Sequence, residues 1–135
     1  MHSAGLPYIL KKDMTAANNS TPDSYCQNGI NLLASGLANE AAESFRDAIA
    51  LDPEHVEAHH GLVRALRDAG QLSQSVAAAM ALIALTPRDP LAHTALSISL
   101  QRAGYIPQAE SAAARARVLE WKTQLESPID EDSLR

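Results

Sequence analysis

The chain has 135 residues, 46% apolar and 20% charged, which is material for one compact domain and no second. Eleven Lys and Arg against sixteen Asp and Glu leave a net charge of -5, so no cationic field exists to follow a phosphate backbone and nucleic-acid binding is not expected. The single cysteine, Cys26, excludes an internal disulfide framework and a sulfur-rich zinc site.

Met1 to Leu10 lacks a basic start followed by an apolar stretch, so no export signal is expected and the chain reads as cytoplasmic. The uncharged run from Gln71 to Thr86 is too short for a membrane span and is interrupted by Ser73, Gln74 and Ser75.

A period of 34 residues organises the sequence. Gly36, Gly70 and Gly104 repeat at that spacing, as do Leu32, Leu66 and Leu100, and Leu51, Leu85 and Leu119. Ala48, Leu82 and Ala116 form a further column, and Pro53 pairs with Pro87.

Each unit resolves into two helices around its glycine, and the six are expected at 22–35, 38–51, 55–69, 72–85, 90–103 and 107–125. Thr21 and Pro22 supply the first start, and Gly36 separates the first two helices. In the third helix Ala58, Leu62, Ala65, Leu66 and Ala69 recur at three- and four-residue steps, one apolar face, before Gly70 stops it as a left-handed C′ residue. Pro87 prevents continuation of the fourth. Asp89 caps the fifth with Pro90 at its first position, and Pro107 opens the sixth. Segment 1–21 is expected to be mobile and 127–135, with Asp130, Glu131 and Asp132, an acidic disordered tail.

Gly29, Leu32, Gly36, Ala41, Phe45, Ala48 and Pro53 resemble the pattern of the tetratricopeptide repeat family, and the likeness extends from Pro22 to Trp121 as three units, 22–55, 56–89 and 90–123. The resemblance implies an all-α fold, a right-handed superhelical stack of three helix-turn-helix repeats with an extended C-terminal helix. Ala79 and Ala113 depart from it, standing where Phe45 stands in unit one; shorter inter-helix distances are expected there. His59 and His93 stand where the family usually has a bulky residue.

In such a stack each second helix covers the first helix of the next unit. Ala42, Ile49 and Leu51 are expected to do so for unit one, and Val76, Ile83 and Leu85 for unit two. The matching Glu110 and Arg117 are charged, so no fourth unit is expected. Ser24, Asn28 and Asn31 are polar where an upstream neighbour would need apolar contact, so the array is expected to be complete at three.

His55, His59 and His60 lie close in sequence but lack the His-Glu-x-x-His arrangement, so no metal is expected. Cys26 has no adjacent base and no glycine-rich phosphate loop occurs, so neither an enzyme nor a cofactor is expected.

The resemblance implies a concave groove along the first helices, here Cys26, Ile30 and Leu33, then His60, Arg64 and Arg67, then Thr94, Ile98, Gln101 and Arg102. This mixed apolar and basic face suits a partner protein or peptide segment with apolar anchors and a carboxylate. Relatives that grip the tail of heat-shock chaperones use Lys, Asn and Arg at columns that here hold Cys26, Ile30, Gly61, Leu91 and Ala95, so that ligand is not expected. The acidic tail could instead fold back into the groove.

The leading functional expectation is a non-catalytic interaction scaffold; the alternative is a small secretion chaperone holding an export client. Ala77, Met80, Ala81 and Ala84 replace the charged Glu43, Arg46 and Asp47 of unit one and form a possible homodimer face.

Overall fold

The computed structural model describes residues 21–127. The expectations for the mobile N-terminal segment and for the acidic tail beyond Ser127 lie outside these residues. Six helices follow in order: α1 Pro22–Ala34, α2 Ala38–Leu51, α3 Val56–Asp68, α4 Leu72–Leu85, α5 Pro90–Arg102 and α6 Ile106–Glu126. The expected bounds differ from these by about one residue at several ends, where caps decide.

The caps explain why the helices start and stop where they do. Thr21 and Ser24 form a reciprocal capping box ahead of α1. Asp89 accepts the Leu91 N–H at 2.9 Å to open α5. His55 proves to be a cap and not a helical residue, its Nδ1 accepting the Ala58 N–H at 3.1 Å.

Within each unit the turn is the same left-handed glycine device. Gly36, Gly70 and Gly104 have φ of 79°, 78° and 91°. The residue after each glycine donates to the carbonyl of the leucine that repeats every 34 residues: Leu37 to Leu32, Gln71 to Leu66 and Tyr105 to Leu100, all at 2.9 Å. The glycine and leucine columns therefore belong to one hydrogen-bonded turn.

Consecutive helices pack as antiparallel neighbours, and the first helices also pack on one another, α1 with α3 and α3 with α5. The second helices α2, α4 and α6 make no comparable contact among the described residues. A layer whose members touch, beside one whose members do not, curves with the touching layer inside. The inner surface is thus made by α1, α3 and α5.

The core falls into two clusters. Around Phe45 lie Cys26, Ala41, Ala48, Ala58, Ala65 and Leu66; farther along, Val63, Ala79, Leu82 and Ala92 gather. Leu51, expected to cover the next unit, is instead 55% exposed: it is the last residue of α2, where the backbone turns into the extended Asp52. Ala42 is buried and Ile49 packs on the first cluster as expected.

Between units two and three the core carries a polar pair. Ser75 and Ser99, both fully buried, share a hydrogen bond of 2.7 Å, and the Ser75 hydroxyl also reaches the Val63 carbonyl at 3.0 Å. The same columns between units one and two hold Ala41 and Ala65, both buried. A pair can be polar or apolar without penalty, whereas a lone buried hydroxyl loses its partner. Ser75→Ala, which takes from the Ser99 hydroxyl the partner it has here, is therefore expected to cost about 1 to 2 kcal/mol. Adding Ser99→Ala should cost less than the separate sum, a coupling readable by urea denaturation.

Candidate partner-binding groove

On the inner surface the three first helices leave two recesses. A cavity of about 360 Å³ lies between α1 and α3, bounded by Ile30, Leu33, Ala34, Phe45 and Gly61. A larger one of about 650 Å³ lies between α3 and α5, bounded by Val56, Val63, Arg67, Leu91, Thr94, Ala95 and Ile98. Glu57, His60 and Arg64 border both, so α3 is the shared wall of a continuous groove.

Of the residues assigned to this face from sequence, Ile30, Leu33, His60, Arg64, Arg67, Thr94 and Ile98 come together along it. Cys26 does not. It is 1% exposed within the Phe45 cluster, where α2 and α3 close over α1, and it cannot meet a ligand. Gln101 and Arg102 are exposed at the end of α5 but border neither recess. Sequence reasoning missed Glu57, Val56 and Leu91 as lining residues. Leu91, 65% exposed, carried a signal, since a large apolar residue directly after a helix-opening proline has little core to reach.

The basic end of the groove is electrostatically incomplete. Arg67 Nε is buried and has no hydrogen-bond partner among the described residues. Burial chiefly lowers the Arg67 pKa; Asp68 opposes that shift, while Arg102 and Arg64 add to it by repulsion. The only ion pair of Arg64 among the described residues is to Asp68 at 3.7 Å, with both side chains solvated, so it neutralises little. Arg64 and Arg67 thus line the recess with Arg102 acting on Arg67 from beside it; Asp68 opposes them, and Asp89, 3.8 Å from His60 Nε2, is a further carboxylate on the recess wall. At the opposite end of α3, Glu57 supplies negative charge where the two recesses meet.

His55, His59 and His93 serve the fold. His59 donates from Nε2 to the Pro53 carbonyl at 2.8 Å, and His93, one repeat later, donates to the Pro87 carbonyl at 2.9 Å. That column therefore staples each first helix to the loop before it. With His55 Nδ1 occupied by the cap, its Nε2 carries the proton and donates to Asp23 at 2.7 Å, tying the start of α3 to α1. Among the described residues no three His, Cys, Asp or Glu side chains gather as metal ligands. Burial, followed by the nearby Glu57, pushes the Cys26 thiol up to about 12, which keeps it protonated and a poor nucleophile. No helix among the described residues is long and apolar enough to cross a membrane. On the outer surface Ala77, Met80, Ala81 and Ala84 are all exposed on α4.

A tetratricopeptide repeat family model matches residues 32–98. No curated protein sequence matches the chain significantly. Solved structures do: MamA at 18% identity and a TM-score of 0.73, covering 78% of this chain and 62% of that one. The Yersinia enterocolitica type III secretion translocator chaperone SycD follows the same path at 20% identity and a TM-score of 0.70, covering 74% and 76%. The second TPR of Spaghetti, bound to an HSP90 peptide, aligns at 15% identity and a TM-score of 0.69, covering 78% and 98%. At these identities the likeness establishes a shared fold, and the chain spans about three fifths of the length of MamA.

Proposed function

Because the chain belongs to the tetratricopeptide repeat family, whose stacked hairpins leave an inner groove open, we propose that it is a non-catalytic interaction module holding a segment of a partner protein there. The observation that carries this reading is the buried, unpartnered Nε of Arg67 at the edge of a 650 Å³ recess, with Arg64 and Arg102 near it. A carboxylate of the partner seated in that recess would offset the mutual repulsion of the arginines, a charge-assisted contact stronger than a neutral one.

Apolar anchors of the partner fit Ile30 and Leu33 on one side of α3, and Val56, Leu91 and Ile98 on the other. Glu57 repels a carboxylate near the junction, so the acidic group of the segment lies toward Arg67. The chaperone-tail ligand held by one structural neighbour is not carried over. Here Cys26 is buried and Gly61 abuts Phe45, so neither position offers a cation.

Selection of peptides on the purified chain is expected to enrich sequences that combine apolar residues with an acidic one. For a selected peptide, Arg67→Glu and Arg64→Glu should each weaken binding by at least about tenfold at low salt, a loss of about 1.4 kcal/mol, and the difference should shrink as salt rises. Equal affinity for wild type and both variants would remove the reading.

A further inference from the structure

The outer surface carries a second apolar region that the inner groove does not explain. A recess of about 600 Å³ opens between α4, α5 and α6, with Val76, Met80 and Ile83 on one wall, Leu96 and Leu100 at its floor, and Ser111 on the other. Val76 and Ile83 are half-buried, and Ile83 packs on the second core cluster as expected of a residue covering the next unit; both also border this recess, which Leu96 and Leu100 of α5 and Ala112 of α6 do not fill. Met80, at its rim, is 60% exposed.

Beside this recess α6 carries a ridge. Its buried face is Ala109, Ala112, Ala116 and Leu119. On the opposite side, at three- and four-residue steps from Ser111, come Val118, Trp121 and Leu125, which are 41%, 60% and 67% exposed. Trp121 is the only tryptophan of the chain. At 1.5 Å per residue it stands about 15 Å along the helix from the recess wall, so its own recess is not where it rests.

We infer that this outer face is a self-association surface, on which two copies of the chain pair about a two-fold axis so that the Trp121 ridge of each enters the recess of the other. A two-fold interface must be complementary to itself, and a surface holding both a projecting apolar ridge and an apolar hollow meets that condition. Charge permits a second copy on the α4 side, while α6 carries Arg115, Arg117, Glu120 and Lys122 around its ridge. Two chains of -5 repel wherever their acidic faces meet, but α4 contains no charged residue from Leu72 to Leu85. The corresponding face of α2 presents Glu43, Arg46 and Asp47 and is excluded by the same argument. The pairing leaves the inner groove open, since none of the residues lining this recess lines either inner recess.

Sedimentation velocity of the full chain over a concentration series tests this, with Trp121 emission as a second readout. A species of twice 14.4 kDa is expected, with emission that moves to the blue as the dimer fills. Met80→Glu and Trp121→Ala, two exposed positions on different helices, should each raise the dimer dissociation constant at least about tenfold while helical circular dichroism stays unchanged. A chain that remains monomeric to about 1 mM would overturn the inference. So would a dimer that only one substitution, or neither, weakens.

Discussion

Gly61→Ala is expected to destabilise the stack by at least about 2 kcal/mol, although alanine is the better helix former by about 1 kcal/mol. The reason is the Phe45 ring. A Cβ added at Gly61 would stand 2.2 Å from Phe45 Cε1, and one added at Gly29 would stand 2.7 Å from the same atom on the opposite side. Phe45 is fully buried, so the ring has no solvent to swing into. It is a slab of α2 set between the backbones of α1 and α3, and the two glycines are the space it occupies. For a domain of this size, thermal unfolding of Gly61→Ala should fall by about 10 °C.

A double-mutant cycle distinguishes this from a general intolerance of helix substitution. Phe45→Ala alone should cost about 3 to 5 kcal/mol through the cavity it leaves. In that background Gly61→Ala should become neutral or stabilising, because the clash is gone and the helix preference of alanine remains. Additive losses would mean that the close approach is relieved elsewhere.

These contacts also show how far the sequence could be read. The helices, their glycine stops and the proline and aspartate starts were legible, because each is decided by neighbours within a few residues: Gly70 needs only its own φ, and Asp89 only Leu91 two residues on. The inner face of α3 was legible for the same reason, since His60, Arg64 and Arg67 lie on one side of a helix whose core face is marked by Ala58, Ala65 and Leu66. Cys26 was misplaced because its burial depends on α2 and α3 closing over α1, a contact across 31 residues to Glu57 that no local pattern contains. Leu51 was misread because the repeat column predicts chemical character and not whether the backbone still points that way at a helix end. The outer recess was invisible for a third reason. A column of apolar residues looks the same whether its partner fills the facing space or leaves it open.

The missing aromatic of unit two is where repeat arithmetic and packing meet, and it yields a second large effect. Ala79 stands 34 residues after Phe45, and the two columns that flank it change in the opposite sense: Gly29 becomes Val63, and Gly61 becomes Ala95. A large side chain between two glycines has been exchanged for a small one between larger neighbours, and Val63, Ala79 and Ala95 do pack together in the second core cluster. Close-packed interiors tolerate swaps that conserve volume and resist those that do not. The distance between helices therefore need not shorten to compensate for the lost ring.

Ala79→Phe alone is thus expected to cost about 3 kcal/mol or more, because the ring meets Val63 and Ala95 with no glycine to receive it. Adding Val63→Gly and Ala95→Gly rebuilds the arrangement of unit one and should recover at least about 1 kcal/mol, even though each glycine weakens its helix by about that amount. A triple variant less stable than Ala79→Phe would show that unit two does not use the packing scheme of unit one. The exchange also reaches the groove, since Phe45 and Gly61 border the smaller recess, and Val63 and Ala95 the larger. The choice of core side chain shapes the floor against which a partner rests. The triple variant should consequently lose affinity for peptides anchored between α3 and α5 while keeping those anchored on Ile30 and Leu33, a split that titration with two selected peptides can measure.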